Sequence, residues 1–407
     1  MKAAIVIVGD EILGGRVVDV NSTTIARALF KIGIGIQRVV WVGDDERAIG
    51  LAVAGALVES RLVFVVGGLG PTPDDRTLAA VCRLLNREMV VHQPTLNRIR
   101  AIFRRRNMAM PEQAGRQALI PRGADVFLNP VGMVPGMAIE HQGSLIVLLP
   151  GVPQELEALL ADGLIAYLQK RLKGKVVYQR LVRTFGLVES VIAPRIMRIS
   201  DRYPGVAVGF YPGVSGVDIL FTGEGKAVVE RVVGAVVRLL GKAVYATEDK
   251  GLAEVLGELL RARGLTIATA ESCTGGLIGD LVTNVPGSSD YYQGGVVSYS
   301  NSVKMKLLGV RENTLVRYGA VSRQTVQEMV LGVCRLFGTD VGIAVSGIAG
   351  PGGGTRKKPV GLVDIGVAVK GKVTVERHNF SGNRRLIKER SAYAALDLCR
   401  RVLSSGD

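Results

Sequence analysis

Two segments in the last third of the chain contain the residues whose chemistry is easiest to define. Residues 271–276 read Glu-Ser-Cys-Thr-Gly-Gly, which places Ser272 between an apolar run and a tight turn. A second segment, Ser-Tyr-Ser-Asn-Ser-Val-Lys, ends at Lys304. A lysine that is removed from water can lose its proton near neutral pH and accept one from a hydroxyl group. If this region performs hydrolysis, a serine nucleophile with a lysine base is therefore the natural candidate.

Histidine and cysteine offer no comparable arrangement. The chain has only 3 histidines, and none has a catalytic sequence context. Its 4 cysteines are far apart and form no Cys-x-x-Cys pair, which argues against a zinc site or a disulfide framework. Cys273 adjoins Ser272, but without a histidine to activate it we expect a small buried residue.

A glycine-rich segment at 346–353 gives the same region a potential anion site. It reads Ser-Gly-Ile-Ala-Gly-Pro-Gly-Gly and follows an apolar run, so its backbone N–H groups are candidates for binding a phosphate or a tetrahedral oxyanion. Lys357 and Lys358 follow and add positive charge.

Three loops near the N-terminus combine glycine with acidic or polar residues. Glycine lets a backbone approach an anion closely, and a helix N-terminus offers free N–H donors. Three such loops at one sheet edge favour a phosphate or pyrophosphate site over ordinary turns. The predicted contacts are Gly9, Asp10, Glu11, Asn21, Gly67, Gly68, Gly70, Pro71, Thr72, Gly132 and Gly136. Asp74 and Asp75 precede a predicted helix and either cap it or, together with Asp19, hold a divalent cation.

The elements that must position these loops alternate between strands and helices. Apolar strands are predicted over Lys2–Val8, Gln37–Val42, Leu62–Val66 and Ser144–Leu149 in the first part, and a helix is predicted over Glu46–Glu59. Asn21 and Asn301 are predicted N-caps of helices. Such β-α repetition predicts a mostly parallel sheet between helices, with ligands at the carboxyl ends of the strands. We divide the chain into domains at 1–172, 173–249 and 250–407. The middle one is a small α+β module that begins with a strand from Val176, and the last returns to β-α alternation.

Composition limits the class of protein. With 407 residues, 48% of them hydrophobic, the chain has material for two or three packed cores. We find no apolar run of about eighteen residues and no signal peptide, so a cytoplasmic protein without a membrane partner is expected. The net charge of +15 suits nucleic acid or a phosphorylated small molecule, but 5% aromatic residues leave little for base stacking, which makes nucleic acid the weaker option. We interpret Arg104-Arg105-Arg106 as solvated surface.

Several motifs resemble those of the CinA family. They are Gly-Asp-Glu-Ile-Leu-Gly from Gly9, Gly-Gly-Leu-Gly-Pro-Thr from Gly67 and Glu-Ser-Cys-Thr-Gly-Gly from Glu271. The resemblance implies a three-layer α/β molybdopterin-binding-like domain of the ADP-ribose pyrophosphatase type and a KH-like middle domain. It also implies a C-terminal α/β amidohydrolase domain that converts nicotinamide mononucleotide to nicotinic acid mononucleotide and ammonia, in pyridine nucleotide recycling. It further implies a divalent metal in the N-terminal domain (Mg²⁺, Mn²⁺ or Co²⁺, with K⁺ as an addition), no cofactor in the C-terminal one, and a homodimer.

The same resemblance assigns roles to individual residues of the C-terminal domain. It places Ser272, Ser289, Tyr299 and Lys304 in the active site. Both serines are candidate nucleophiles; we favour Ser289, with Lys304 as its base and Ser272 as a supporting hydroxyl. The predicted substrate contacts are Thr274, Gly275, Gly276, Ser346, Gly347, Gly350 and Gly353.

Two departures from the family pattern support an alternative function. Met133 stands where a hydroxyl residue is usual, and the middle domain lacks the Gly-x-x-Gly loop with which KH domains clamp nucleotides. The alternative is a nucleotide-binding regulatory protein of the competence- or damage-inducible kind, in which one or both sites are inactive.

Overall fold

The computed structural model describes residues 2–172 and 177–405, and the chain divides into two compact units, Met1–Val177 and Tyr178–Asp407. The predicted domain boundary after residue 172 and the predicted strand start at Val176 lie outside the described residues. The α/β class is confirmed in both units.

The first unit is built on a six-stranded sheet with the order β2-β1-β3-β8-β7-β6. Strands β2, β1, β3 and β8 are parallel, and β7 and β6 are antiparallel to them. The strands are β1 (Lys2–Val8), β2 (Gly35–Val42), β3 (Leu62–Val66), β4 (Met89–Val91), β5 (Leu119–Pro121), β6 (Asp125–Phe127), β7 (Gly136–His141) and β8 (Ser144–Leu149), of which β4 and β5 pair separately.

Helices cover both faces of this sheet. They are α1 (Asp10–Leu13), α2 (Asn21–Lys31), α3 (Glu46–Glu59), α4 (Thr77–Leu84), α5 (Gln93–Arg105), α6 (Pro153–Leu159) and α7 (Ile165–Leu172), with a 3₁₀ segment at Glu112–Ala118 and a kinked π turn at Leu160–Leu164. Alternate residues of one strand enter opposite cores: Ile5 and Ile7 join one, and Ala4 and Val6 the other. Because both faces are buried, the strands read as continuous apolar runs, which is why the sequence reveals them.

The second unit begins with a small antiparallel sheet in the order β10-β11-β9-β12. Its elements are β9 (Tyr178–Thr184), α8 (Glu189–Ser200), β10 (Val206–Pro212), β11 (Val217–Gly223), α9 (Lys226–Leu240) and β12 (Val244–Ala246). The predicted α+β character is confirmed.

A five-stranded sheet in the order β14-β13-β15-β16-β17 follows. Strands β14, β13 and β15 are parallel, and β16 and β17 antiparallel. The strands are β13 (Ile267–Glu271), β14 (Tyr292–Val297), β15 (Val341–Gly347), β16 (Leu362–Val369) and β17 (Lys372–Asn379). The helices are α10 (Leu252–Ala262), α11 (Leu277–Thr283), α12 (Asn301–Leu308), α13 (Glu312–Tyr318), α14 (Arg323–Phe337) and α15 (Arg384–Ser404).

Candidate active site

The carboxyl ends of the three parallel strands in the second unit meet around one cavity of about 280 Å³. Ser272 follows β13, Tyr299 follows β14, and Gly347 ends β15. The cavity is lined by Ser272, Cys273, Tyr299, Lys304, Ala320, Val321, Ser346, Gly347, Ile348, Ala349, Gly350, Gly352, Gly353 and Arg384. The structure therefore brings together most of the residues that the sequence predicted for this site.

Lys304 and Ser272 are in direct contact within this cavity. Lys304 Nζ lies 3.1 Å from Ser272 Oγ, 2.7 Å from the carbonyl oxygen of Ser298 and 3.3 Å from that of Tyr299. Two carbonyl groups accept two N–H bonds, so the third position on the nitrogen faces the serine. In a neutral amine that position is the lone pair, which can accept the hydroxyl proton.

Burial controls the charge of Lys304. The residue is only 1% exposed, and burial lowers the pKa of its ammonium group below the ordinary lysine value. Among residues 2–172 and 177–405, no carboxylate lies within ion-pair distance of Nζ. Helix α12 holds the side chain one turn from its start, and its N-cap is Ser300 rather than the predicted Asn301. Lys304 is therefore suited to act as a base rather than as a structural cation.

Cys273 has the opposite character. Burial raises the pKa of its thiol to about 12, so the sulfur stays protonated at neutral pH. This agrees with its predicted role as a small buried side chain rather than a nucleophile.

Arg384 links two sides of the cavity through hydrogen bonds. The sequence analysis did not predict it as a site residue. Its Nη1 donates to the carbonyl of Gly350 at 2.6 Å, and its Nη2 donates to the hydroxyl of Tyr299 at 3.1 Å. Arg384 is the first residue of α15, where positive charge opposes the helix dipole. A basic pair directly after the N-cap Asn383 was therefore the signal that could have identified it.

The turn after Ser272 is fixed by a buried carboxylate. Glu271 accepts hydrogen bonds from the backbone N–H groups of Gly276, Ile278 and Gly279 at 2.9–3.0 Å. Thr274, Gly275 and Gly276 line a second, more open cavity of about 730 Å³, together with Lys388. Arg384 borders both cavities.

Ser346 has a structural rather than a reactive position. It is almost fully buried, and its Oγ donates to the carbonyl of Ala320 at 2.7 Å. The loop that follows remains a source of donors. In the part of the chain that the structure describes, the N–H groups of Gly350, Gly352 and Gly353 donate to no backbone acceptor.

The structure does not place Ser289, the serine favoured as nucleophile, at this cavity. Ser289 lies in a 3₁₀ turn (Ser288–Asp290) before β14, and the first residue of β14, Tyr292, pairs with the first residue of β13, Ile267. Ser289 is thus at the amino edge of the parallel strands, whereas Ser272 and Lys304 are at the carboxyl edge. A strand of five residues separates these edges by about 16 Å.

The three loops predicted in the first unit do converge at the carboxyl edge of its sheet. The N–H of Gly9 donates to Val42 at 3.0 Å, and that of Gly67 donates to Leu149 at 3.1 Å. Gly67 has φ of 98°, and a side chain there would meet the carbonyl oxygen of Val8. This glycine is required by the contact between strands β1 and β3. The close approach therefore serves the protein itself and provides no evidence for an anion.

Asn21 is another predicted contact with a structural use. It begins α2 rather than capping it, and Val20 is the N-cap. Its Nδ2 donates to the carbonyl of Gly151 at 2.7 Å, which ties α2 to the loop after β8.

The predicted metal ligands do not form one site. Asp19 accepts from the N–H of Ser22 and from Trp41 Nε1. Asp75 accepts hydrogen bonds from the N–H and the hydroxyl of Thr72 at 2.8 and 2.6 Å. Thr72, a predicted phosphate contact that follows Pro71, therefore spends both donors on this turn. Over the described ranges, no group of three or more His, Cys, Asp or Glu side chains is placed to hold a metal ion.

A different set of carboxylates meets at this edge. Asp10 and Asp44 exchange hydrogen bonds through their backbone N–H groups at 3.2 and 3.3 Å. Burial raises the pKa of Asp44, as do the negative charges of Asp10, Glu11 and Asp74. Asp44 was missed, although Gly43-Asp44 follows β2 just as Gly9-Asp10 follows β1.

No helix in the described residues is both long enough and apolar enough to cross a membrane.

Comparison with known proteins matches a different family model to each end of the chain. Residues 4–170 match the model of a probable molybdopterin binding domain, and residues 249–403 match that of the CinA C-terminal domain. A CinA-like protein of Kosmotoga olearia is 38% identical over 99% of both chains. A putative competence-damage inducible protein of Clostridium beijerinckii is 37% identical over 99% of this chain and 100% of its own. A solved CinA superfamily protein of Klebsiella pneumoniae is 34% identical, with 38% of this chain and 96% of its own covered and a TM-score of 0.37. Because these sequence relatives match nearly the whole chain, the protein belongs to the CinA family.

Proposed function

We propose that the second unit hydrolyses the carboxamide of nicotinamide mononucleotide to nicotinic acid mononucleotide and ammonia, with Ser272 as the nucleophile and Lys304 as its base. The observation that carries the proposal is the 3.1 Å contact between Lys304 Nζ and Ser272 Oγ, in which the pKa of the lysine is lowered by burial. An amide requires a strong nucleophile, and a hydroxyl next to a neutral amine provides one.

The geometry supports a two-stage mechanism. Lys304 takes the hydroxyl proton while Ser272 Oγ attacks the carboxamide carbon, and the unused N–H groups of Gly350, Gly352 and Gly353, which line the cavity, are candidate donors for the oxyanion. The C–N bond breaks, Lys304 returns the proton to the leaving nitrogen, and ammonia departs. Water then attacks the acyl-serine with Lys304 again as base, which releases the carboxylic acid and restores Ser272.

The cavity sizes support a mononucleotide substrate. The smaller cavity of about 280 Å³ at Ser272 has room for a ring and its amide. The adjoining cavity carries the cationic side chains Arg384, Arg385 and Lys388. Arg385 is paired with Glu389 at 2.8 Å, whereas Lys388 has no ion-pair partner within residues 2–172 and 177–405. A phosphate on the substrate supplies the anion that this lysine lacks.

Replacing each serine separately tests the proposal. Ser272→Ala is expected to abolish ammonia release from nicotinamide mononucleotide, whereas Ser289→Ala at the other edge of the sheet keeps it. Ammonia and nicotinic acid mononucleotide are measured with purified full-length protein. Loss of activity in the Ser289 variant alone would overturn the assignment. Thermal stabilisation of the wild type by nucleotide, with no product formed, would indicate a binding protein instead.

As a second activity we propose metal-dependent hydrolysis of ADP-ribose by the first unit. The observation in its favour is the contact between Asp10 and Asp44 at one sheet edge, where burial, followed by the negative charges of Asp10, Glu11 and Asp74, raises the pKa of Asp44. Mg²⁺ commonly binds one or two carboxylates together with substrate phosphates, and Asp10 and Asp44 are the side chains that would hold it. Such an ion supplies electrostatic stabilisation to a pyrophosphate. The test is AMP formation from ADP-ribose with Mg²⁺, Mn²⁺, Co²⁺ or chelator, each with and without K⁺.

A further inference from the structure

Lys358 connects two segments that line the cavity at Ser272. It lies in the connection between β15 and β16, whose glycine-rich part lines the cavity. Its Nζ donates to the carbonyl oxygens of Tyr318 and Val321, each at 2.6 Å. These two residues flank the connection between α13 and α14, which we call the 319–322 turn. One side chain thus ties the glycine-rich loop to a second segment of the cavity lining.

The 319–322 turn is held by side chains rather than by backbone hydrogen bonds. Two of its residues, Ala320 and Val321, line the cavity. The four carbonyl groups from Tyr318 to Val321 accept no hydrogen bond from the backbone of any residue that the structure describes, but side chains bind all four. The donors are Lys358 for Tyr318 and Val321, Ser322 and Thr325 for Gly319, and Ser346 for Ala320. Because backbone carbonyls away from water need such partners, the shape of this side of the cavity depends on these side chains.

The backbone on both sides of the contact is arranged to accommodate it. Gly319 has φ of 76°, which favours glycine, and an added Cβ there would lie 3.1 Å from Lys358 Nζ. On the other side, the N–H of Lys358 donates to Thr355 Oγ1 at 3.0 Å, and its carbonyl accepts from the N–H of Thr355 at 2.8 Å. A tight turn therefore presents the lysine, and a glycine leaves room for its ammonium group.

This contact differs from the role that the sequence suggested for Lys358. The sequence indicated that Lys357 and Lys358 add positive charge at an anion site. Lys358 does not line the cavity, and two of the three N–H donors of its ammonium group are used by carbonyl groups. Its charge is thus directed at the backbone of the 319–322 turn.

We propose that Lys358 is a positioning residue, which holds the 319–322 turn in place and thereby sets the affinity for the part of the substrate that binds next to Ser272. The inference rests on the proposed function for the identity of that substrate. The contact between Lys304 and Ser272 is supported by carbonyl groups outside the 319–322 turn, so the chemical step does not depend on Lys358. Loss of an interaction that acts on binding alone raises KM and leaves kcat unchanged.

The test compares two neighbouring lysines. Lys358→Met removes both hydrogen bonds to the 319–322 turn, and Lys357→Met is the matched control because Lys357 is exposed and does not line the cavity. Ammonia release from nicotinamide mononucleotide and from nicotinamide riboside is measured with the full chain. We expect Lys358→Met to raise KM about tenfold for both substrates and to change kcat less than about twofold. Lys357→Met is expected to keep the wild-type KM for both.

A second variant moves the lysine without removing its charge. Gly319→Ala adds a Cβ close to Lys358 Nζ at a backbone angle that disfavours alanine, so it displaces the ammonium group from the two carbonyls. It is expected to raise KM for both substrates as well, by a smaller factor, and it replaces Lys358→Met if that variant does not fold.

A binding measurement separates this inference from the proposed function. Calorimetry with nicotinamide mononucleotide is performed on the Ser272→Ala protein, with and without Lys358→Met, and needs no turnover. We expect the added substitution to weaken binding about tenfold. If the wild type released no ammonia but Lys358→Met still weakened binding, the proposed function would be refuted and the role of Lys358 supported.

Three results would overturn the role of Lys358. A fall in kcat with an unchanged KM in Lys358→Met would indicate a general contribution to folding. A rise in KM for the mononucleotide alone would make Lys358 a phosphate ligand, because the riboside lacks only that group. Unchanged KM values in Gly319→Ala would show that the position of the ammonium group does not control substrate binding.

Discussion

Replacing Lys304 by methionine removes the proposed base while keeping an unbranched side chain of similar length. Lys304 Nζ is 3.1 Å from Ser272 Oγ, which is within the range for direct proton transfer. No histidine lines the cavity to take over this role. A positioned base contributes about 10²–10⁴-fold to a rate, so we expect kcat for ammonia release to fall about a thousandfold, equivalent to about 4 kcal/mol in the barrier.

Lys306 provides the control for that substitution. It lies on the same helix, two residues further on, but is exposed and does not line the cavity. Lys306→Met is expected to keep wild-type kcat, so a loss specific to Lys304→Met reports the site rather than the helix. If Lys304→Met kept more than a tenth of the wild-type kcat, Lys304 would not be the base for Ser272.

The pH dependence of activity gives the same variant a second readout. Because burial lowers the pKa of Lys304, the neutral amine forms at lower pH than for an ordinary lysine at about 10.4. We expect kcat/KM of the wild type to rise with pH through this lowered pKa and to level off above it. The residual activity of Lys304→Met is expected to lack this rise.

Stability tests the protonation argument without any substrate. The folded protein binds the Lys304 proton less tightly than the unfolded chain does, because the folded pKa is the lower one. Wild-type stability therefore gains from deprotonation as pH rises from the folded pKa toward the ordinary lysine value. The Tm of Lys304→Met minus the Tm of wild type is expected to decrease between pH 7 and pH 10. The hydrogen bonds lost in the variant add a constant offset to this difference, which does not affect its change with pH. A difference that stays flat over this range would contradict a lowered pKa.

Two further predictions concern the charged groups around each site. Lys388→Met is expected to raise KM for nicotinamide mononucleotide about tenfold and to leave nicotinamide riboside turnover unchanged, because only the mononucleotide carries the phosphate that Lys388 is proposed to bind. An equal effect on both substrates in the ammonia assay would remove Lys388 from phosphate binding. Asp44→Asn removes a carboxylate whose pKa is raised, so at pH 7 without metal its Tm is expected to exceed that of wild type, with the difference shrinking as pH falls and Asp44 becomes protonated. The same variant is expected to lose the Tm increase that Mg²⁺ gives the wild type, and an increase of equal size in both would exclude Asp44 as a ligand.

Much of the fold was predictable because its strands are buried on both faces. Lys2–Val8, Leu62–Val66 and Ser144–Leu149 are found at their predicted bounds, as is α3 at Glu46–Glu59. The start of β2 was less evident: it begins at Gly35 rather than at Gln37, and about half of it is solvent-exposed, so its apolar pattern is weaker.

Helix caps were predicted less well than helices. The chain places both Asn21 and Asn301 inside their helices, one residue after the cap, and in the second case the hydroxyl of Ser300 caps the N–H of Val303. A run of Ser and Asn residues contains several side chains that can cap a helix. Which one does so depends on the backbone angle at which the strand end enters the helix, and the local sequence does not specify this angle.

The separation of Ser289 from the cavity at Ser272 has a topological cause. Sequence motifs identify which serines are unusual but not at which end of a strand they lie. Ser272 follows β13, whereas Ser289 precedes β14, and parallel strands put these positions at opposite edges. Strand direction alone would have selected Ser272, since ligands of parallel sheets bind at the carboxyl ends.

Arg384 and Asp44 escaped prediction for a related reason. Each belongs to a site through packing between elements distant in sequence: Arg384 lies 85 residues from the Tyr299 hydroxyl that it contacts, and Asp44 lies 34 residues from Asp10. The local sequence shows only that Arg384 carries a positive charge at a helix N-terminus, where it is unfavourable, and that Gly43-Asp44 repeats the pattern of Gly9-Asp10. Only the folded sheet shows which groups lie next to each of these two charged side chains.

In both sheets the candidate site lies at the carboxyl ends of the parallel strands, but the charges at the two edges differ. This difference argues for different chemistries. At the second sheet, Lys304 is enclosed by carbonyl groups with no described carboxylate nearby, which favours a neutral amine and proton transfer. At the first sheet, Asp44 remains partly exposed among carboxylates, which favours an attracted cation rather than proton transfer. Adding a carboxylate beside Lys304 would stabilise its ammonium form and remove its basicity, whereas removing one beside Asp44 would weaken cation binding. The site at Lys304 thus depends on the absence of nearby carboxylates, and the site at Asp44 depends on their presence.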